Sequence, residues 1–267
     1  MRFETEQVAG LAVSRDVDHA TSHDHGLEIV IVHGTMDRGA AFRRTARRVE
    51  AAAPVLFDRR GYAGSSHAGL ATAIADQVDD LEVVVDHLAA PVTLVGHSLG
   101  GLLAMHLGVR RPDAIRSLGL WEPPLPWLDW YTGAVGERLM GMEGLESGDA
   151  ADLFMRSMIG DRLWERLPEA QRAERREEGP ALMADIALSR NGGEVDLGLV
   201  DRPTVVGHGT ESPARFQRSV AHLVGELPDA VSFEIAGAAH GAHLSHPAEF
   251  ARFVDVSVER GHVTPSA

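Results

Sequence analysis

Ser98 lies in the stretch Gly96-His97-Ser98-Leu99-Gly100-Gly101, directly after the apolar, β-branched run Val92-Thr93-Leu94-Val95 and directly before Leu102-Leu103-His106-Leu107 at helical spacing. A serine at such a strand-to-helix corner is held above the strand end, and small residues on either side are what the corner needs, because side chains there would meet neighbouring backbone. The first turn of a helix also leaves backbone N–H groups without intrahelical partners, so the Leu99 N–H can donate to an oxygen that gains charge beside the serine. The pattern predicts a nucleophile at the end of a buried strand. A neutral hydroxyl is a weak nucleophile, so it needs a base within hydrogen-bond reach, and the base needs a carboxylate to set its tautomer.

His240 suits the base. It follows the apolar run Val231-Ser232-Phe233-Glu234-Ile235 in the small-residue loop Gly237-Ala238-Ala239, which lets an imidazole approach the corner. His243 and His246 fall toward the final helix, and His97 points away from the corner and reads as a packing residue. At the end of the strand Leu27 to Val32, the turn His33-Gly34-Thr35-Met36-Asp37 leaves the Thr35 N–H free to face the same space as the Leu99 N–H. Asp37 there also suits a cap on the next helix. Two carboxylates are candidates for orienting the base. Glu122 ends the strand Ile115 to Trp121, and Pro123 is expected to hold it extended; Glu211 precedes Ser212-Pro213 and reads equally as a first-turn charge opposing a helix dipole. His19, His23 and His25 among Asp16, Asp18 and Asp24 have metal-ligand chemistry but sit on no evident rigid element, so they read as a solvated loop and no metal is expected.

The elements that must position these groups alternate along the chain. A hairpin-like start from Phe3 to Ser14 is followed by strands at Leu27–Val32, Val55–Phe57, Val92–Val95, Ile115–Trp121, Thr204–Val206 and Val231–Ile235. Amphipathic helices are predicted for residues 39–52, 74–88, 213–224 and 247–260, besides the one after Ser98. Between Glu122 and Thr204 no strand pattern appears. Trp127, Trp130, Tyr131, Met140, Met142, Met155, Met158 and Trp164 are interspersed there with glycine and charge, either as that segment's own core or as the lining of a substrate entrance, and Arg166 to Glu178 reads as a solvated helix.

Composition narrows the function classes. The chain of 267 residues is 44% hydrophobic and 24% charged, enough for one domain with an insertion, and holds no apolar run long enough to span a bilayer. Net charge is −14, from 39 acidic residues against 25 basic ones that are all arginine, which disfavours nucleic acid and anionic membranes as partners. The absence of lysine removes Schiff-base chemistry, and the absence of cysteine removes disulfides, thiolate nucleophiles and thiolate-held metals. Acidic residues among the first six and the lack of an apolar leader make a cytoplasmic location the expectation.

Taken in order, the strand with its His33-Gly34 turn, the Asp58-Arg59-Arg60-Gly61-Tyr62 loop, Gly96-His97-Ser98-Leu99-Gly100-Gly101 and Gly237-Ala238-Ala239-His240 resemble the α/β-hydrolase family, over about residues 3 to 260 and least between 125 and 200. The resemblance implies a mostly parallel eight-stranded sheet with helices on both faces, a core domain of residues 1–122 and 201–267, and a helical cap insertion at residues 123–200. It places the base at His240 and the oxyanion donors at Thr35 and Leu99. The family's commonest acid position, after the strand Thr204 to Val206, is filled by Ser212, which supplies no charge; Glu122 stands at an alternative position that some members use, and it is preferred over Glu211. The expected activity is cofactor-independent serine hydrolysis of a small or medium carboxylic ester or lactone by Ser98, His240 and Glu122. Carbon–carbon bond hydrolysis and cofactor-free haloperoxidase or perhydrolase chemistry use the same constellation, and a ligand-binding protein on the same fold is the alternative of another class.

Overall fold

The computed structural model describes residues 2–17, 27–52, 54–88, 91–132, 135–191 and 194–262, with residue 137 in backbone only. The histidine-rich stretch His19 to His25 lies outside them. Eight strands form one sheet: β1 Phe3–Val8, β2 Leu11–Asp16, β3 Glu28–Val32, β4 Pro54–Phe57, β5 Val92–His97, β6 Ile115–Trp121, β7 Thr204–Gly209 and β8 Ala230–Ile235, in the order β1-β2-β4-β3-β5-β6-β7-β8. β1 and β2 form an antiparallel hairpin through Ala9 and Gly10, both at positive φ, and β2 runs antiparallel to β4. Every pairing from β4 through β8 is parallel, so the sheet is mostly parallel and eight-stranded as expected.

Every residue of β5 is buried, the signature of a central parallel strand covered on both faces. The period of two then sorts alternate residues to opposite layers. Val30, Val32, Leu94 and Leu120 pack with α2 Ile74–Asp86, α3 Leu99–Arg110 and Phe216 of the later helix Ala214–Glu226, whereas Ile29, Ile31, Val95 and Val205 pack with Phe42, Ala46 and the C-terminal helix residues Phe250, Phe253 and Val254. The expected helix over residues 39–52 is shorter: a 3-10 turn at Gly39–Phe42 leads into α1 Arg43–Ala46 and stops. Its helical pattern still buries Phe42, Ala46 and Val49, but the Glu50 and Ala51 N–H groups donate to Asp255 Oδ1 of the C-terminal helix, which satisfies them outside a helix.

Between β6 and β7 come α4 Val135–Met140, α5 Ser147–Ile159, α6 Asp161–Arg166, α7 Glu169–Glu177 and α8 Gly179–Asn191. They have a core of their own in which Leu139, Ala150, Ala151, Met155, Trp164, Leu182 and Ile186 surround Met36 and Tyr62. Met140, Met142 and Met158 are exposed instead, and α7 buries no residue, as its charge predicted, but Glu178, the last residue of the helix expected over Arg166 to Glu178, is buried in an ion pair with Arg38. After β7 come α9 Ala214–Glu226, α10 Ala242–Ser245 and α11 Pro247–Arg260. Among the described residues no helix is long and apolar enough to cross a membrane.

Buried ionic bonding seats the helical segment on the sheet. Arg59, after β4, forms a two-pronged pair with Asp185 of α8 at 3.1 and 2.7 Å, and both residues are 2% exposed. Tyr62 Oη and Gln77 Nε2 also donate to that carboxylate, and Arg59 donates to the His33 and Gly34 carbonyls. Burial alone would raise the Asp185 pKa, but the adjacent Arg59 charge and these donors hold it below the usual carboxylate range. Removing one member of such a pair strands the other in a dry site, so Asp185→Ala is expected to cost about 3–5 kcal/mol of unfolding free energy. Because the folded-state pKa is depressed, the contribution is complete above the ordinary Asp pKa of about 3.9 and is lost as pH falls through the folded value. Urea denaturation from pH 7 down to pH 3 checks this: the gap between parent and variant narrows on acidification.

Candidate active site

The corner after β5 is a strained backbone. Ser98 has φ 54 and ψ −124, a combination that L-residues rarely adopt, and α3 begins at the next residue. The strain is sustained by packing. A Cβ on Gly96 would run into the Gly100 carbonyl, and one on Gly100 would run into the Val32 carbonyl, so α3 and the end of β3 close onto the corner. The Ser98 N–H donates to the Trp121 carbonyl at 2.8 Å, which ties the corner to the end of β6. Ser98 itself is half-buried, open enough to be reached.

Glu122 follows that carbonyl, directly after the end of β6, and is completely buried. Its N–H extends the ladder to the Gly207 carbonyl of β7 at 3.0 Å, and its carboxylate accepts from the Gly209 N–H at 2.9 Å and from Ser212 Oγ at 2.5 Å. The remaining oxygen, Oε2, lies 2.6 Å from His240 Nδ1. Glu122 is not extended as the proline after it led one to expect; its φ is +46. Left-handed backbone costs a non-glycine residue about 1–3 kcal/mol, which the hydrogen bonds to the carboxylate offset. Ser212, at the place after β7 where a carboxylate was sought, is therefore a donor to the carboxylate that comes from β6. Glu211 is exposed, and among the described residues its side chain meets no imidazole.

His240 is fixed from several sides. Its ring stacks on Phe216 of α9 with centroids 4.4 Å apart and planes 10° apart, and its carbonyl accepts from His97 Nε2 at 2.9 Å and Trp121 Nε1 at 3.2 Å. The carboxylate accepts from Nδ1–H, so the proton sits on Nδ1 and the lone pair on Nε2. Among the described residues no hydrogen bond links Ser98 Oγ to His240; the His97 bond and the Trp121 carbonyl bring the two residues to the same strand ends. Sequence reasoning did not find Phe216, whose position in α9 reads only as core.

The turn after β3 completes the rim. A Cβ on Gly34 would stand 2.9 Å from Ser98 Cβ and 3.1 Å from the His97 carbonyl, so this turn lies directly against the corner. Thr35 follows, half-buried, and neither its N–H nor that of Leu99 donates to an acceptor among the described residues. His33 is structural: Nδ1–H donates to the Gly34 carbonyl at 2.7 Å and Nε2 accepts the Arg59 N–H at 2.9 Å. Burial and the Arg59 charge push its pKa down to about 4, so it stays neutral in this acceptor form. Asp37 does not cap the next helix; Asp58 Oδ1 takes the Gly39 N–H instead, and Asp37 Oδ2 lies 3.1 Å from His243 Nε2.

The sequence model of the Alpha/beta hydrolase family matches residues 29–253. The chain belongs to the α/β-hydrolase family. A curated relative, the pimeloyl-[acyl-carrier protein] methyl ester esterase of Chromobacterium violaceum, is 29% identical over 249 residues, covering 85% of this chain and 92% of that protein. Among solved structures, the bromoperoxidase of Bacillus anthracis superposes with a TM-score of 0.73 at 19% identity, over 97% of this chain and all of the other. An N-acyl homoserine lactone degrading enzyme does so with a TM-score of 0.67 at 21% identity, again over 97% and 100% of the two chains. At these identities the structural matches establish the shared fold.

For this α/β-hydrolase the corner glycines are a stability constraint as well. Gly100→Ala is expected to lower unfolding free energy by about 1–3 kcal/mol, the usual effect of forcing a methyl group into filled space. Chemical denaturation with an unchanged m-value checks it, and an unshifted midpoint would show that the corner does not pack as described.

Proposed function

We propose that this α/β-hydrolase is a serine hydrolase that cleaves small or medium carboxylic esters or lactones through an acyl-enzyme on Ser98. One observation carries the reading: a fully buried carboxylate, Glu122, holds the Nδ1–H of His240 at 2.6 Å, so that the basic nitrogen is presented at the strand ends where Ser98 sits on its strained corner. A surface glutamate has no reason to be buried with its hydrogen-bonding capacity spent on a histidine and two further donors. The esterase name of the relative that matches most of the chain supports ester chemistry.

In this mechanism His240 Nε2 takes the Ser98 proton as Oγ bonds to the substrate carbonyl carbon, and the Glu122 charge stabilises the imidazolium so formed. The carbonyl π pair moves onto oxygen, and the N–H groups of Thr35 and Leu99 donate to it. His240 then returns the proton to the departing alkoxide, leaving an ester on Ser98. Water repeats the sequence to release the acid. Loose or unformed contacts between nucleophile and base in the absence of substrate are common and tighten on binding. Residues 123–200 act as the cap over this site, seated by the Arg59–Asp185 pair, with the core in residues 1–122 and 201–267.

Burst-phase hydrolysis of 4-nitrophenyl acetate and butyrate tests the reading. Ser98→Ala is expected to abolish turnover. Glu122→Gln keeps shape but favours the wrong tautomer, and kcat is expected to fall by roughly 10³–10⁴ with little change in KM. Glu211→Gln is expected to match the parent. A parent no faster than Ser98→Ala would remove ester hydrolysis in favour of the other chemistries this constellation supports, or of a binding protein.

The place of the acid is separately testable. Ser212→Ala removes one charged hydrogen bond and is expected to lower kcat about tenfold. In the Glu122→Gln background, Ser212→Asp restores a carboxylate beside the same imidazole and is expected to recover part of the lost kcat. No recovery, with the fold intact by circular dichroism, would show that only the β6 position reaches His240.

A further inference from the structure

Behind the corner, the turn after β3, the last residue of β5 and the short helix α10 meet in a cluster that ester cleavage does not use. Asp37 lies two residues after Thr35, His97 is the residue before Ser98, and His243 follows His240 by three. One ring nitrogen from each histidine and one carboxylate oxygen of Asp37 all lie within 4.8 Å of one another. The His97 and His243 residues are 5% and 2% exposed, while the Asp37 side chain, 16% exposed, reaches toward solvent.

The bonding of these imidazoles is incomplete in a specific way. His97 Nε2 meets the His240 carbonyl, which can only accept, so the proton is on Nε2 and the lone pair of neutral His97 is on Nδ1. Nδ1 is buried with no hydrogen-bond partner. His243 stacks on Phe42 at 4.2 Å and 14°, and its edge faces His97 at 4.6 Å. Its Nε2 is in ion-pair range of Asp37 Oδ2 but not aligned for a hydrogen bond, and its Nδ1 has no partner. The Asp37–His243 pair alone therefore leaves the His97 lone pair unexplained, in an interior where buried polar atoms are normally satisfied.

We propose that Asp37, His97 and His243 form a site for a divalent transition-metal ion of the zinc class. Two imidazoles with one carboxylate suit zinc or cobalt rather than calcium or magnesium, which prefer all-oxygen shells. A metal-bound histidine characteristically donates its other N–H to a carbonyl or carboxylate, which is what His97 does with the His240 carbonyl. Bonds of about 2.0–2.1 Å put tetrahedral ligand atoms roughly 3.4 Å apart, so the donors close on an ion by shifts of about an ångström. The fourth position falls to water, which enters from the Asp37 side. The ion would touch no reacting atom. It would clamp together the turn bearing Thr35, the corner bearing Ser98 and the loop bearing His240.

The test uses the full chain, stripped with EDTA and titrated with ZnCl2 by calorimetry and with CoCl2 by visible absorption. One equivalent of Zn2+, the d–d bands of a four-coordinate Co2+ site, and a melting temperature raised by Zn2+ are expected. Asp37→Asn, which is isosteric, and His243→Phe, which keeps the ring stack on Phe42, are each expected to weaken binding at least 100-fold and to abolish the Zn2+-dependent rise. A variant with His19, His23 and His25 all replaced by alanine is expected to bind as the parent does. Absence of binding in the parent, binding retained in both Asp37→Asn and His243→Phe, or binding lost with the three loop histidines would each overturn the proposal. None of these readouts depends on ester hydrolysis.

Discussion

A carboxylate withdrawn completely from water must have its charge met by donors, and the end of β6 is built around that requirement. Glu122 accepts from the Gly209 backbone at the end of β7, the Ser212 hydroxyl in the turn that follows it and the His240 ring in the loop after β8. The bonding draws those turns over the sheet edge and holds Glu122 at a positive φ. β6 lies between β5 and β7, so the same residue is coupled on one side to the corner at Ser98 through the Trp121 carbonyl, and on the other to the loop bearing His240. The proposed chemistry depends on this geometry because an imidazole without a fixed tautomer is a base only part of the time.

Close backbone approach is the second constraint. The corner is tight because β3, β5 and α3 meet with only hydrogen atoms between them at Gly96 and Gly100. Such packing raises the cost of any alternative path for the chain, which is how a rare backbone conformation at Ser98 persists. Parallel strands bring their C-terminal ends to one edge, so the loops after β3, β5, β6, β7 and β8 share that edge without further design. The Arg59–Asp185 pair extends the order outward, since it binds the His33-Gly34 turn to α8 across the boundary between sheet and helical segment. A buried ion pair is a weak source of net stability but a strong source of register, because any misplacement leaves a charge unpaired.

How much of this was legible beforehand depends on the range of the interaction. The strand-to-helix corner, the strand-and-helix alternation and the hairpin start were readable because each is written in residues a few positions apart, as a period of two or 3.6 or as small residues at a turn. The solvated character of α7 was readable for the same reason. The pattern over residues 39–52 predicts a longer helix than forms, because its end depends on Asp255, more than 200 positions away in sequence. Glu122 was singled out from sequence, but its conformation was not, since the rule for a residue before proline describes isolated chains and the carboxylate bonding overrode it.

The sequence by itself determined the α/β-hydrolase topology, the corner at Ser98 and the short set of polar residues able to stand at the sheet edge. Tertiary structure alone decided which of them meet: that Ser212 donates to Glu122, that Phe216 stacks on His240, and that Asp37, His97 and His243 converge behind the corner. The division has a physical reason. Local pattern sets which face a residue takes, whereas a hydrogen bond between groups 90 or 118 positions apart depends on strand register, sheet twist and loop path together, and no single stretch of the chain encodes those.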